Sequence, residues 1–295
     1  MNFNSASILG ECVRSLAREE IARIVIVNNS PTEAERNLLS RILESSSNVE
    51  IIEASGNIGF GPAVNLAVRT LDLSSQDRVW LVNPDVLVTT PGTALTLSAV
   101  LDDGYGIASP SIVTDGAVGQ IVWYGGGTYE RKSGCTIHWH HGADPQVLSG
   151  TQKGQTVSFV SGAAMMLTGK TWLALGGFRE DLFLYWEDAE LCLRAIEEAI
   201  PLAVLPSVSV WHKVGASSSS AGKSSAYFYF MNRNRLIVAS QYVPWSSLLV
   251  GPGTAWTFRF LIRAARSPQP FSKVWAAFRG IYDGVSGARK QKRAS

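Results

Sequence analysis

The chain has 295 residues, 46% of them hydrophobic and 17% charged, and a formal net charge of +2. These are the fractions of a globular protein with room for one large domain or a domain plus an appendage, and the small net charge excludes nucleic acid as an expected partner. Cys12, Cys135 and Cys192 lie far apart, with no metal-type pair and no even disulfide set, so the cysteines point to a reducing cytosol. The N-terminus has no basic segment followed by an apolar core. No uninterrupted apolar run is long enough to span a bilayer, and the nearest, residues 248–262, carries Arg259.

In chain order, residues 23–27 form a short Ile/Val run bounded by polar residues, the pattern of a buried strand. Ser30 is expected to cap the following helix, with Pro31 at its first position and Glu33 completing a capping box. Residues 49–52 are the next strand, residues 62–70 the next helix, and residues 79–82 a strand that ends at Asn83-Pro84-Asp85. Thr90-Pro91 opens another helix. This rhythm predicts a right-handed α/β sheet with helices on both faces. It breaks over residues 109–154, where Gly125-Gly126-Gly127 and His138, His140 and His141 suggest loops or a hairpin. Residues 156–160 resume as a strand, 187–198 as a helix, 203–205 and 208–210 as short strands, and 226–240 as a helix. After Tyr242, aromatic residues such as Trp256, Phe258, Trp275 and Phe278 alternate with Arg259, Arg263, Arg266, Lys273 and Arg279. That is the composition of basic amphipathic helices on a membrane surface, or of helices packed on the preceding domain. Arg289, Lys290, Lys292 and Arg293 add four cations at the extreme C-terminus. The division expected is residues 1–240 and 241–295.

Several segments can carry chemistry. Asp85, at the end of a strand, can hold Mg²⁺ or Mn²⁺ against a diphosphate, although Asn, Pro and Asp also make ordinary turns. Asp188, in Trp186-Glu187-Asp188, can accept a proton from a sugar hydroxyl, or can simply complement a helix dipole. His212 closes a strand and is either a metal ligand or a structural histidine. Residues 57–65 make a Gly-containing turn into a helix whose backbone N–H groups can meet a phosphate, but Gly59-x-Gly61 is a poor dinucleotide fingerprint. Asn232-Arg233-Asn234-Arg235 brings two guanidiniums that suit a diphosphate or a solvated face.

Taken in order, these segments resemble family 2 of the nucleotide-sugar glycosyltransferases, which have the GT-A fold, a mostly parallel Rossmann-like sheet flanked by helices. The likeness is greatest to bacterial rhamnosyltransferases and galactofuranosyltransferases and covers about residues 1–240. Asn57-x-Gly59-Phe60-Gly61-x-x-x-Asn65 and Asn83-Pro84-Asp85 match two of the family's motifs. The run from Ser161-Gly162-Ala163-Ala164 through Gly176-Gly177-Phe178 to Tyr185-Trp186-Glu187-Asp188 and Arg194 matches its acceptor-side signature and is the most specific. Trp211-His212 and residues 229–235 follow in the expected order.

The resemblance implies an inverting, metal-dependent transferase using Mn²⁺ or Mg²⁺. It makes Asp188 the catalytic base, Asp85 and His212 the metal ligands, and Trp186 and Glu187 the acceptor pocket. It places Phe3, Asn28, Asn57, Gly59, Asn65, Asn83, Asp85 and Arg233 on the nucleotide sugar. It also implies a dTDP- or UDP-sugar donor, dTDP-L-rhamnose first, and a lipid-linked glycan acceptor of cell-surface polysaccharide synthesis. The protein would then be peripheral on the cytoplasmic face of the bacterial inner membrane. Two departures stand out. Asn28-Asn29-Ser30 occupies the place where the family often has Asp, and residues 1–5 match only the tail of the family's first strand, so a start upstream or a truncated form is expected. The rival readings are a degenerate, non-catalytic nucleotide-sugar-binding protein, a nucleotidyltransferase and a nicotinamide oxidoreductase.

Overall fold

A computed structural model describes residues 1–30, 32–44, 46–148, 153–213 and 222–294, the side chains of 291–294 excepted. It divides into two compact units. The first is Met1–Thr128, His138–Phe183 and Glu187–Ser217; the second is Tyr129–Ile137, Leu184–Trp186 and Ser218–Ser295.

The first unit opens with α1 (Ala6–Leu16), which has no counterpart among the expected elements. It buries Leu9, Cys12, Val13 and Leu16 at helical spacing. β1 (Ile24–Asn28) pairs parallel with β2 (Val49–Glu53). Between them lies α2 (Glu33–Glu44), whose start differs from expectation: Thr32 Oγ1 accepts the Glu35 N–H at 3.3 Å, while Ser30 Oγ accepts the Asn4 N–H at 2.7 Å. Ser30 is therefore engaged elsewhere, and Pro31 lies outside the described residues. Next come α3 (Phe60–Arg69), β3 (Arg78–Val82), β4 (Val86–Val88) and α4 (Thr93–Asp102). The buried Glu19 carboxylate caps α4 from outside, accepting the N–H groups of Gly92 and Ala94 at 3.1 and 2.8 Å.

The segment expected as irregular is ordered instead. It holds β5 (Ile107–Asp115), β6 (Gln120–Tyr124), β7 (Gly127–Glu130) and β8 (Cys135–His138), with residues 149–152 outside the described set. β5 and β6 pair antiparallel, and β7 and β8 form a separate two-stranded sheet. Short polar stretches and glycines hide this register from a period-2 search. β9 (Gln155–Val157), β10 (Ala164–Thr168), α5 (Gly169–Leu175), α6 (Glu187–Glu197) and β11 (Leu202–His212) complete the first unit; β11 fuses the two short strands expected there.

The main sheet runs β3-β10-β5-β11-β4, with β6 on β5 and β9 on β11. The α/β class is as expected, but the pairing is mixed rather than mostly parallel. β5–β11 is the parallel pair of this sheet among the described residues, and β10 runs antiparallel to both β3 and β5. The cause is topological: after the hairpins the chain re-enters the sheet running opposite to β5, so no βαβ crossover constrains it. Leu97, Val100 and Leu101 of α4 pack on Ala108, Met166, Ala203 and Leu205 of the central strands.

The second unit contains α7 (Ser225–Tyr242), α8 (Trp245–Leu249), α9 (Pro252–Ala265) and α10 (Pro270–Ala294). The last three are the helices expected after Tyr242. α7 and α10 approach closely because Gly280 and Gly284 lie on the α7 backbone; a Cβ at Gly280 would fall 2.3 Å from Tyr229 O. The Arg235 guanidinium is buried, donating to Ser133 O and Gly253 O at 2.8 Å and to Thr257 Oγ1 at 3.0 Å. Arg235 is thus a strut between the hairpin tip and the helices, not a solvated or diphosphate-gripping group. Among the described residues no helix is long and apolar enough to cross a membrane.

Candidate active site

Asp188 opens α6 beside Glu187, and three acidic residues in the first turn suit the positive end of the helix. Its carboxylate accepts the N–H of Gly162 at 3.0 Å and of Ala189 at 2.8 Å. A side chain at Gly162 would press on this group, since a Cβ there would lie 3.1 Å from Asp188 Cβ. Burial raises the Asp188 pKa above the ordinary carboxylate value against the pull of those N–H groups. Burial, and then the Asp188 charge, push Glu187 up to about 8, and Glu187 Oε2 is buried without a hydrogen-bond partner. Burial thus disfavours ionisation of both neighbouring carboxyls, with backbone N–H groups opposing it at Asp188.

Asp85 follows β3 in a turn whose Asn83 N–H donates to Ala163 O at 2.9 Å. The neighbouring Gly162 N–H is the donor to Asp188. Two consecutive residues ahead of β10 thus tie the Asn83-Pro84-Asp85 turn to Asp188, although 103 positions of sequence separate the two aspartates. The end of β11, paired antiparallel with β4, brings His212 Nε2 within 3.0 Å of Asp85 Oδ1, with both side chains about a tenth exposed (9% and 10%). The Trp123 ring stands edge-on to the His212 ring at 5.1 Å and fixes its plane.

The glycine-containing turn is bonded within the protein. Gly59 has φ 96°, and a Cβ there would lie 2.5 Å from Phe183 O. The Gly59 N–H donates to Asn57 Oδ1 at 3.2 Å and the Phe60 N–H to Phe183 O at 2.7 Å, so these groups are already bonded and do not wait for a phosphate. Asn65, also expected on the donor, is buried and clamps the loop ahead of α6. Its Nδ2 donates to Phe178 O at 2.9 Å and Glu180 Oε1 at 3.0 Å, and its Oδ1 accepts the Phe178 N–H at 2.9 Å. Asn28 is likewise consumed internally: its Nδ2 donates to Glu53, and its Oδ1 accepts from Asn2 Nδ2 and Ser30 N–H. These internal bonds share a cause. An amide side chain that bridges two distant backbone segments satisfies buried donors and acceptors, which a sequence motif cannot reveal.

Of the other expected residues, Phe3 and Asn57 are exposed, while Trp186 and Glu187 are buried. In the second unit Arg233 lies on α7, its Nη1 donating to Asn234 Oδ1 at 2.6 Å. Asn234, not singled out from sequence, donates to Leu184 O at 2.9 Å and Tyr185 O at 2.8 Å. It anchors a strained run: Phe183, Tyr185 and Trp186 all have positive φ, of 66°, 65° and 75°.

Residues 1–236 match the profile of Glycosyltransferase like family 2, and the chain belongs to that family. It is 25% identical over 238 residues to the low-salt glycan biosynthesis hexosyltransferase Agl10 of Haloferax volcanii, across 74% of this chain and 75% of that protein. It is 39% identical over 61 residues to the galactofuranosyltransferase GlfT2 of Mycobacterium tuberculosis, a match covering 21% of this chain and 9% of the relative. Among solved structures, GalNAc-T7 with UDP, GalNAc and Mn²⁺ superposes with a TM-score of 0.58 at 15% identity, over 95% of this chain and 55% of that one. The mannosyltransferase PcManGT of Pyrobaculum calidifontis, with GDP-Man and Mn²⁺, gives 0.54 at 14% identity, over 100% and 74%. The fold is that of GT-A glycosyltransferases, and the chain is a nucleotide-sugar-dependent transferase of hexosyl type.

Proposed function

We propose that this protein moves a hexose, L-rhamnose from dTDP-L-rhamnose in the first instance, onto a lipid-linked glycan with inversion at the anomeric carbon. The observation that carries the reading is the pairing of two differently prepared carboxylates on one short segment: Gly162 N–H on Asp188, and Ala163 O on the turn that presents Asp85.

The Asp85–His212 pair suits Mn²⁺ or Mg²⁺. Both side chains are nearly out of water, they offer one oxygen and one nitrogen donor 3.0 Å apart, and His212 Nδ1 is buried without a partner, a pattern that leaves Nε2 as the working nitrogen. The ion, when bound, neutralises charge on the donor diphosphate. Asp188 accepts the proton of the acceptor hydroxyl while that oxygen bonds to the anomeric carbon. The bond from that carbon to the diphosphate oxygen breaks on the opposite face, and its electron pair leaves with the nucleoside diphosphate. Glu187, carrying its proton, presents a neutral neighbour that does not compete for the hydroxyl proton.

The second unit supports a peripheral place on the cytoplasmic face of the inner membrane. Phe271, Trp275, Phe278 and Tyr282 recur at helical spacing on α10 and are exposed, and Asp283 is the sole acidic residue after Tyr242 in the sequence. The cations at 292 and 293 have side chains outside the described residues. Trp275→Ser with Phe278→Ser removes apolar surface and should weaken binding to anionic and neutral liposomes alike; unchanged binding to both would contradict the membrane role.

Incubation with Mn²⁺ or Mg²⁺ and a panel of dTDP- and UDP-sugars, with detection of released nucleoside diphosphate, tests the transfer. Release from one donor, lost in Asp85→Ala and Asp188→Asn, is expected. Silence with every donor, with lipid-linked acceptors supplied, overturns the reading in favour of a binding protein.

A further inference from the structure

A histidine that binds a metal through one ring nitrogen almost always donates its other N–H to a carboxylate, a carbonyl or a water, and that bond fixes the ring's orientation. His212 lacks this device among the described residues. Its Nδ1 is buried without a hydrogen-bond partner, while its Nε2 stands 3.0 Å from Asp85 Oδ1. The ring is therefore held by what packs on it. Trp123 of β6 supplies that contact, with ring centroids 5.1 Å apart and planes at 88°. Edge-to-face is one of the arrangements that aromatic rings favour, so the contact selects a ring plane.

Trp123 owes its aim to a β-bulge. In the β5–β6 ladder Ile112 stands opposite Tyr124 and Val113 opposite Val122, which leaves Trp123 without a partner across the pair. A bulge inserts one such residue into a strand and re-aims its side chain. The Trp123 carbonyl is engaged by two imidazoles instead, His138 Nδ1 at 3.1 Å and His141 Nδ1 at 2.9 Å. A carbonyl only accepts, so both rings carry a proton on Nδ1, and the two N–H groups occupy both lone pairs of the oxygen.

Both histidines are themselves fixed. The His138 ring stacks on Phe159 at 5.6 Å and meets the Trp123 and Tyr124 rings edge-on at 5.0 and 5.3 Å. His141 sits in a turn bonded to β6 on either side of the bulge. Gly142 N–H donates to Val122 O and Val122 N–H to Ala143 O, both at 2.8 Å, and Gly125 N–H donates to Trp139 O at 3.2 Å. Positive φ at His140 and Gly142, 58° and 84°, closes that turn tightly.

We propose that His138 and His141 are positioning residues for the cation seat. They hold the bulged Trp123 by its carbonyl, and the Trp123 ring holds His212 with Nε2 towards Asp85. This assignment rests on the Asp85–His212 seat proposed above for Mn²⁺ or Mg²⁺. The Trp123 contact takes the place of the hydrogen bond that His212 Nδ1 does not make.

Two measurements on the full chain test it. Mn²⁺ would be titrated by calorimetry with UDP present, and the His212 ring nitrogens of the metal-free protein would be followed by NMR. His138→Phe with His141→Ala removes both N–H donors and keeps a ring on Phe159. That double variant and Trp123→Leu should each weaken Mn²⁺ binding by about tenfold or more, the loss that outer-shell changes cause, and should shift or split the His212 signals. His141→Asn puts an amide N–H near the place of Nδ1 and should stay close to the parent in both. All three positions changed together (Trp123→Leu, His138→Phe, His141→Ala) should cost no more than Trp123→Leu alone, because the histidines act through that residue. His141 is exposed, so His141→Ala alone serves if the double variant does not fold. A lowered Tm with Mn²⁺ affinity and His212 signals unchanged would make the histidines structural only and overturn the proposal, as would losses that add in the triple variant. A parent that shows no Mn²⁺ effect removes the cation seat itself; the metal-free His212 signals then decide the support alone, and unchanged signals overturn it.

Discussion

Asp85 and Asp188 sit in the same unit, tied to each other through Gly162 and Ala163, and their surroundings differ in kind. Asp85 faces an imidazole nitrogen at 3.0 Å. Asp188 faces two backbone N–H groups and the buried Glu187 carboxyl. In the function proposed above, the nitrogen–oxygen donor pair would seat a cation, and the carboxylate held by backbone donors would act as the base. What separates the two roles is the second layer, backbone and ring rather than the carboxylates themselves.

The contrast can be broken from either side. Asp188→Asn keeps the shape and removes the proton acceptor, so kcat should fall by about 10²–10⁴-fold while nucleotide affinity holds; steady-state kinetics beside calorimetry would check both, and unchanged kcat would remove Asp188 from the chemistry. Asp85→Ala should do the converse, weakening nucleotide binding in the presence of Mn²⁺ by at least the ~10–100-fold that even outer-shell losses cause. A pH series sharpens the Asp188 side. Glu187 binds its proton more tightly folded than unfolded, so its contribution to stability is complete below the unfolded pKa and is lost as pH rises through about 8. Glu187→Gln should match the parent near pH 5 and exceed it at pH 8 by on the order of a few kcal/mol in denaturant melts; parallel curves would show that Glu187 is ionised in the fold. The smallest effect is expected at Asn65. Asn65→Ala leaves the Phe178 N–H and carbonyl unpaired and should cost about 1–3 kcal/mol, with kcat reduced more than donor affinity.

The sequence made legible what is local or sequentially periodic. The strands of residues 24–28, 49–53 and 78–82 and helices α3, α6 and α7 all stand within a few residues of expectation. The hairpins of residues 107–138 and strand β10 did not show, because their pairing partners are distant and their residues polar or glycine-rich. α1 could have been found from the buried spacing of Leu9, Cys12, Val13 and Leu16. The sequence named candidate residues but not what each of them bonds to in the fold. Asn65 looks like a ligand-binding asparagine in one dimension; only the fold places it on a loop 113 positions away. Asn28 and Asn234 were obscured in the same way.

The central claim is that one carboxylate seats the cation and the other takes the proton. Calorimetric titration of a nucleoside diphosphate into parent, Asp85→Ala and Asp188→Asn proteins, each with Mn²⁺ and with a chelator, tests it directly. The account predicts that Mn²⁺ strengthens binding to the parent and to Asp188→Asn alike and has no effect on Asp85→Ala. If Mn²⁺ still strengthens binding to Asp85→Ala, or fails to do so for Asp188→Asn, the assignment of the two carboxylates is contradicted.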